Sequence, residues 1–379
     1  MDFDFSDDQS QLREAVARWV EKAYSFERRR ANTAAGGFDR ATYTELAELG
    51  LTGLTVPEEH GGMGMGAVES MVVMEQLGHG LVLEPLAQAL MAATVLAEVA
   101  PADVQSNWLP RIASGEALVV LAHQERKARY RLDICEAKAT PAQDGWTISA
   151  TKNMVPAGDQ ADAWIVPAMV KSDLGDDTGE RMALFLVERG APGSRTEGHL
   201  TQDGGRAATV VLTDAPATLI TRQGLAALGM AVDVGIAVLC AEAVGVMDKT
   251  LAITVDYMNT RKQFGVAIAS FQALRHRVAD MKMQLELARS MSYYATLKLN
   301  ADPAERSLAM SRAKVQLGQS MRFVGQQAVQ LHGGIGVTDE YIASHCFKKL
   351  TQLEMTLGDT LHHLGAVSEG MQDTAGVFA

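Results

Sequence analysis

The sequence predicts an α+β protein in three parts: a helical segment over residues 1–119, a small β-domain over 120–220 and a helical bundle over 221–379. Three observations predict this division. Apolar residues recur at helical spacing through the first part. The middle part breaks into short alternating or apolar runs bounded by Gly, Asp and Pro. From about residue 224 the helical pattern returns, longer and more apolar than before.

The elements follow in order. Ser6-x-x-Gln9 is a capping box ahead of Leu12, Val16 and Val20 at helical spacing. Tyr43, Leu46 and Leu49 mark a second helix that ends at Gly50. The glycine-rich stretch from Gly61 to Gly66 follows Pro57 and precedes a helix over 68–77. No strand leads into it and the dinucleotide-binding spacing is absent, so it reads as a tight connection and not as a phosphate loop. Strands are expected over 118–122, 145–149, 164–170, 182–187 and 209–212, with surface loops at 173–180 and 190–205. A long apolar helix runs from Val234 to Met258, and another from Phe271 to Leu299 carries Val278, Met281, Leu285 and Ala288 on one stripe. Asp302-Pro303-Ala304-Glu305 supplies an N-cap, a first-turn proline and a reciprocal acid for a helix that reaches Leu331 and stops at Gly333-Gly334. Helices this long and apolar need more cover than one thin domain provides, which predicts an oligomer.

Bulk properties exclude several classes. A hydrophobic share of 47% with 21% charged residues is a globular balance. The net charge of −12 argues against non-specific binding to nucleic acid or anionic membrane. Any phosphate-bearing ligand is therefore held by local cations or helix ends. Cys135, Cys240 and Cys346 make neither a disulfide framework nor a metal spacing, which suits a reducing cytoplasm. The acidic start at Met1 lacks the pattern of a signal peptide, and no uninterrupted apolar run of about 20 residues exists for a membrane span. His332, His362 and His363 lack ligand spacing, so no metal site is expected.

Two segments carry possible chemistry. Arg261 ends a long helix and enters a polar connection through Phe264 and Gly265. A guanidinium there can grip two diphosphate oxygens, and Gln272, opening the next helix, offers a donor and an acceptor. Downstream, Gln330 precedes Gly333, Gly334 and Gly336, a turn free of obstructing side chains. The plainer reading is a helical hairpin with a surface arginine and a glycine C-cap.

With these motifs on one chain, the sequence resembles the acyl-CoA dehydrogenase family over essentially its whole length. The stretches Leu49 to Leu54, Pro57 to Gly62 and Leu109 to Glu116 support the resemblance. It implies the family's fold, with a barrel-like β-domain and a C-terminal four-helix bundle. It implies FAD as cofactor and α,β-desaturation of an acyl-CoA thioester, with electron-transfer flavoprotein or a similar acceptor taking the electrons. Carried over residue by residue, Arg261, Phe264, Gln272, Gln330, Gly333 and Gly334 become contacts to the FAD of a neighbouring subunit.

The family's catalytic positions depart from the pattern. The usual glutamate base aligns with Leu357, followed by Gly358, and the alternative base position is Gly235, with Ile236 beside it. Neither leucine nor glycine moves a proton. The flavin-cradling loop is replaced by His123-Gln124-Glu125-Arg126-Lys127-Ala128-Arg129-Tyr130-Arg131, and the strand that offers a hydroxyl near the flavin reads Lys152-Asn153-Met154-Val155-Pro156. Proline has no N–H and no hydroxyl to give. Asp359 is the nearest substitute base, with Glu354, Asp233 and Glu242 as further carboxylates; each reads more plainly as a capping or ion-paired group than as a base. The cations from Arg126 to Arg131 read either as a solvated loop face or as a contact to a CoA phosphate or an acidic partner subunit.

Within the family, His123-x-Glu125-Arg126-x-Ala128-Arg129-Tyr130 and Gly358-Asp359-x-x-His362-His363-Leu364 resemble the small subunit of pimeloyl-CoA-type dehydrogenases and the partner chains of steroid side-chain dehydrogenases. That resemblance implies an α2β2 assembly in which a second acyl-CoA dehydrogenase-like chain supplies the base. A self-sufficient homotetramer using Asp359 and a flavin-free acyl-CoA-binding scaffold are the alternatives.

Overall fold

The computed structural model describes residues 5–143, 145–171 and 180–375. In chain order it contains α1 (Asp7–Ala23), α2 (Phe26–Ala34), α3 (Arg40–Glu48), α4 (Ala67–His79), α5 (Leu86–Val99) and α6 (Ala102–Ala113). The strands β1 (Val119–Leu121), β2 (Lys138–Ala142), β3 (Gly145–Pro156), β4 (Ala163–Lys171), β5 (Glu180–Glu188), β6 (Ser194–Leu200) and β7 (Arg206–Thr221) follow. The long helix α7 (Gly224–Thr260), the short strands β8 (Lys262–Gln263) and β9 (Val266–Ala267), and the helices α8 (Gln272–Lys298), α9 (Pro303–His332), α10 (Ile342–Met355) and α11 (Thr360–Ala375) complete the chain. Two compact units emerge: one of residues up to 31, 67–82 and 236–379, the other of 32–66 and 83–235.

The first unit is helical. Its first helix opens on the expected capping box, with Ser6 Oγ accepting the Gln9 N–H at 3.2 Å and Gln9 Oε1 accepting the Ser6 N–H at 3.0 Å. Helices α4 and α7 touch through backbone. A Cβ on Gly78 would lie 2.1 Å from the Glu242 carbonyl oxygen, and one on Gly245 would lie 1.9 Å from that of Glu75. Glycine at both points lets the helices approach more closely than any side chain permits. By length and composition α7 is apolar enough to cross a membrane, yet 67% of its most apolar stretch is buried inside the fold.

The second unit wraps around a closed sheet. Strands β4, β2, β3, β7 and β5 pair in that order, and β5 returns to β4, so five strands form a barrel. Strand β1 adds to β4 in parallel and β6 to β7 antiparallel. Trp164, Phe185, Ile148, Val210 and Tyr43 fill the core, and Trp164 Nε1 donates to the Gly158 carbonyl at 2.7 Å. The glycine-rich connection folds back on 53–56: Met63, Gly64 and Met65 donate to the carbonyls of Gly53, Val56 and Leu54. Gly62 is required there, since a Cβ would sit 2.1 Å from the Val56 carbonyl oxygen.

Several expectations change. The loop foreseen at 190–205 contains β6, a largely exposed edge strand whose ladder to β7 needs no apolar alternation. Strand β2, whose residues are also mostly exposed, has no counterpart among the expected strands. Helix α7 begins ten residues before Val234, at Gly224. Pro303 does occupy the first turn of α9, but the Asp302 side chain makes no cap bond and Glu305 pairs with Lys298. The loop expected at 173–180 lies outside the described residues apart from Glu180, which begins β5.

Candidate functional site

The end of α7 and the start of α8 are linked by the β8–β9 hairpin. Its register pairs Gln263 with Val266, leaving Phe264-Gly265 as a two-residue turn with φ of 54° and 83°. Gly265 takes that conformation freely; Phe264 takes it at a cost. The Phe264 ring is 91% exposed and meets Phe271 edge to face at 6.1 Å. The Arg261 N–H donates to the Tyr257 carbonyl at 2.8 Å and its own carbonyl accepts the Ile268 N–H at 2.9 Å. Its backbone is fixed while its side chain is exposed, as is Gln272 at the head of α8.

Helix α9 ends where expected, with Gly333 at φ 63°. Gln330, Gly333 and Gly334 are exposed, and a Cβ on either glycine would meet nothing within 4 Å. The two motifs are brought together by rings. Tyr257, one turn before Arg261, stacks on His332, immediately before Gly333, at 4.6 Å and 32°. Tyr341, just before α10, completes the group at 5.2 Å from His332.

A second constellation surrounds the turn between α10 and α11. Leu357 and Gly358 both have positive φ, 57° and 110°. A Cβ on Gly358 would fall 2.4 Å from His363 Nε2, so glycine is needed for space as well as conformation. His363 Nε2–H donates to the Leu357 carbonyl at 3.0 Å, and Nδ1 accepts from the Ser311 hydroxyl at 3.1 Å. Burial, reinforced by nearby Lys314, pulls the His363 pKa down to about 4, so the ring is neutral. Lys314 is itself buried and donates to the carbonyls of Leu353, Glu354 and Thr356, at 2.8, 3.1 and 2.8 Å. Burial lowers its pKa to about 8. The Glu354 carboxylate accepts from Thr360 N–H and Oγ1, and Asp359 Oδ1 accepts the His362 N–H at 2.8 Å as a cap for α11. Glu242 pairs with Lys349 at 2.7 Å.

A third lies in the barrel unit. Glu125 is buried and receives Lys152 Nζ at 2.6 Å, together with the N–H groups of Glu136 and Ala137. Lys152 also donates to the Pro167 carbonyl at 2.9 Å. Burial pushes the Glu125 pKa up most strongly, but Lys152 and the N–H groups of Glu136 and Ala137 together outweigh it and hold the carboxyl below its ordinary value. The loop from His123 is thereby stapled to β3. Within the basic run, Lys127 pairs with Glu136 and Arg131 with Asp133, which matches a solvated loop face. Met154 stands at φ 51°, 45% exposed.

Residues 6–116 match the model of the acyl-CoA dehydrogenase N-terminal domain, and 222–372 match that of the acyl-CoA dehydrogenase C-terminal domain. The acyl-CoA dehydrogenase IpdE2 of Mycolicibacterium smegmatis is 31% identical over 93% of this chain and 95% of its own. The chain belongs to the acyl-CoA dehydrogenase family. Among solved structures, a Tcur3481–Tcur3483 steroid ACAD variant superposes with a TM-score of 0.88 at 29% identity, covering 97% of this chain and 99% of that one. The ChsE4–ChsE5 complex from Mycobacterium tuberculosis gives 0.86 at 24%, covering 99% and 100%, and so speaks for the fold.

The family is one of FAD-dependent oxidoreductases acting on acyl-CoA, so the fit of this chain to FAD divides by region. The exposed Arg261 and the open space over Gly333 and Gly334 suit a diphosphate approaching from outside the chain. In the barrel unit Pro156 offers a flavin ring no hydroxyl and no N–H, and the loop at 123–131 is fixed to β3 by a buried ion pair. Lys314 and the Glu125–Lys152 pair escaped the sequence reading. One signal pointed to Lys314, which falls on the buried α9 stripe of Met310, Leu317, Met321 and Val324.

Proposed function

We propose that this chain is a subunit of an FAD-dependent acyl-CoA dehydrogenase that lacks its own base and completes the FAD site of a partner chain. Arg261, Phe264, Gln272, Gln330, Gly333 and Gly334 would hold that FAD from across the subunit boundary. Bound FAD supplies the hydride acceptor; the partner supplies the carboxylate and the ring cradle. One observation carries the reading. The residues of the grip are exposed, with open space over the glycines, while Leu357 and its neighbours are tied inward by Lys314 and His363.

Within this reading the three parts meet at about residues 119 and 220, the assembly is α2β2, and the protein works in the cytoplasm with an electron-transfer flavoprotein or similar acceptor. The Tcur3481–Tcur3483 steroid ACAD carries two chain names, which supports a paired assembly and a lipid or steroid acyl-CoA here. Asp359, held as a helix cap, is proposed to stay structural.

Flavin content tests the proposal. Purified alone, the chain should carry little FAD and show no dehydrogenase turnover; co-expressed with its partner dehydrogenase chain it should gain both. A yellow, active homo-oligomer of this chain alone would overturn it.

A further inference from the structure

The ring group formed by Tyr257, His332 and Tyr341 has no part in the function as described so far. Each ring stands at a helix end. Tyr257 lies one turn before the C-terminus of α7, His332 is the last residue of α9, and Tyr341 directly precedes α10. His332 is buried, with Nδ1–H donating to the Ala328 carbonyl at 2.8 Å, four residues back in its own helix. That bond fixes the plane of the imidazole. Tyr257 lies against it at 4.6 Å, and Tyr341 sits 5.2 Å from His332 and 6.3 Å from Tyr257. Ring centroids at these separations lie within the range of attractive aromatic contact.

Two of the three rings stand next to a grip residue, one about a helical turn away and the other a single peptide bond away. Arg261 follows Tyr257 by four residues, and Gly333 follows His332 directly. The diphosphate grip is otherwise assembled from two helix ends that sequence places about 70 residues apart, and both ends face outward. A bidentate guanidinium is effective only when its spacing to the opposing backbone is kept.

We infer that Tyr257 and His332 are positioning residues: their stack, buttressed by Tyr341, sets the separation between Arg261 and the Gly333-Gly334 turn, and hence the affinity for a nucleotide diphosphate. The inference rests on the proposed function above. Neither ring touches the nucleotide; each acts through the helix end it anchors.

The test uses the complex with the partner dehydrogenase chain, stripped of FAD and titrated with FAD, with assembly size and melting temperature followed in parallel. Tyr257→Leu and His332→Ala should weaken FAD binding by about tenfold or more, at unchanged assembly size. Tyr257→Phe keeps the ring and should bind within about twofold of the parent. Arg261→Ala is the control for the underlying reading. If Arg261→Ala weakens FAD while Tyr257→Leu and His332→Ala do not, the positioning role is overturned and the trans site stands. If Arg261→Ala has no effect, the trans site itself fails. Should His332→Ala not assemble, Tyr257→Leu alone decides, because replacing a half-buried ring by leucine leaves a smaller void than removing the buried imidazole; unchanged affinity in that variant also overturns the inference.

Discussion

Lys152 Nζ lies 2.6 Å from Glu125 Oε1, with both side chains buried in the barrel unit. A charge pair in such surroundings is held less by its own attraction than by the cost of leaving either partner alone. Glu125→Gln leaves the Lys152 ammonium without a counter-charge and should destabilise the fold by about 3–5 kcal/mol. The double variant Glu125→Leu/Lys152→Met should recover part of that loss, since no charge then remains buried while the Glu136 and Ala137 N–H groups and the Pro167 carbonyl lose their partners. Chemical denaturation of the three proteins measures both effects; a double variant as weak as the single one would contradict the account.

Stability should fall with acidification through His363. Its unfolded pKa is near 6.5 and its folded value is about 4, because burial and Lys314 oppose protonation. The unfolded chain therefore binds the proton first. The stabilisation is complete above about pH 6.5 and is lost as pH drops towards 4, roughly 3 kcal/mol in all. Denaturation midpoints between pH 7 and 5 should slope accordingly, and His363→Gln should reduce the slope without abolishing it, because burial also holds the His123 pKa down at about 4. A parallel slope in that variant would assign the effect elsewhere.

Gly245→Ala should cost about 3 kcal/mol or more, because the new methyl would press on the Glu75 carbonyl where α4 crosses α7. Gly334→Ala, with nothing within 4 Å, should leave the melting temperature of the isolated chain unchanged. Thermal melts of the pair separate a glycine that packing requires from one that it does not.

Phe264→Gly should stabilise the isolated chain by about 0.4–1 kcal/mol, since the turn at φ 54° then carries no Cβ. The same change should weaken FAD retention in the complex with the partner chain. A rise in melting temperature alongside a loss of bound flavin is the expected outcome, and unchanged flavin would remove Phe264 from the grip.

How far each feature could be read depends on how local its cause is. The capping box at Ser6 and the stop at Gly333 are written in adjacent residues, and both appear as expected. The residues proposed for the grip stand out in the sequence because their motifs are contiguous, and the structure shows them exposed. Glu125 and Lys152 meet only through closure of the barrel, 27 residues apart, so no local pattern announces them. Lys314 satisfies carbonyls about 40 residues away, and only its place on an apolar stripe hints that it is buried. Strand β6 escaped notice for the opposite reason: an exposed edge strand has no core face to impose a pattern.

Helix α9 carries Ser311 and Lys314 near one end and Gly333 beyond the other. At 1.5 Å per residue, Ser311 and Gly333 stand about 33 Å apart along a single rod. Proton abstraction needs contact within about 3 Å, so whatever sits beside Gly333 is far beyond the reach of a group beside Leu357 in the same copy. Changes at the two ends should therefore behave as separate traits. On the proposed reading, the turn tied by His363 can vary without disturbing the tip at Gly333.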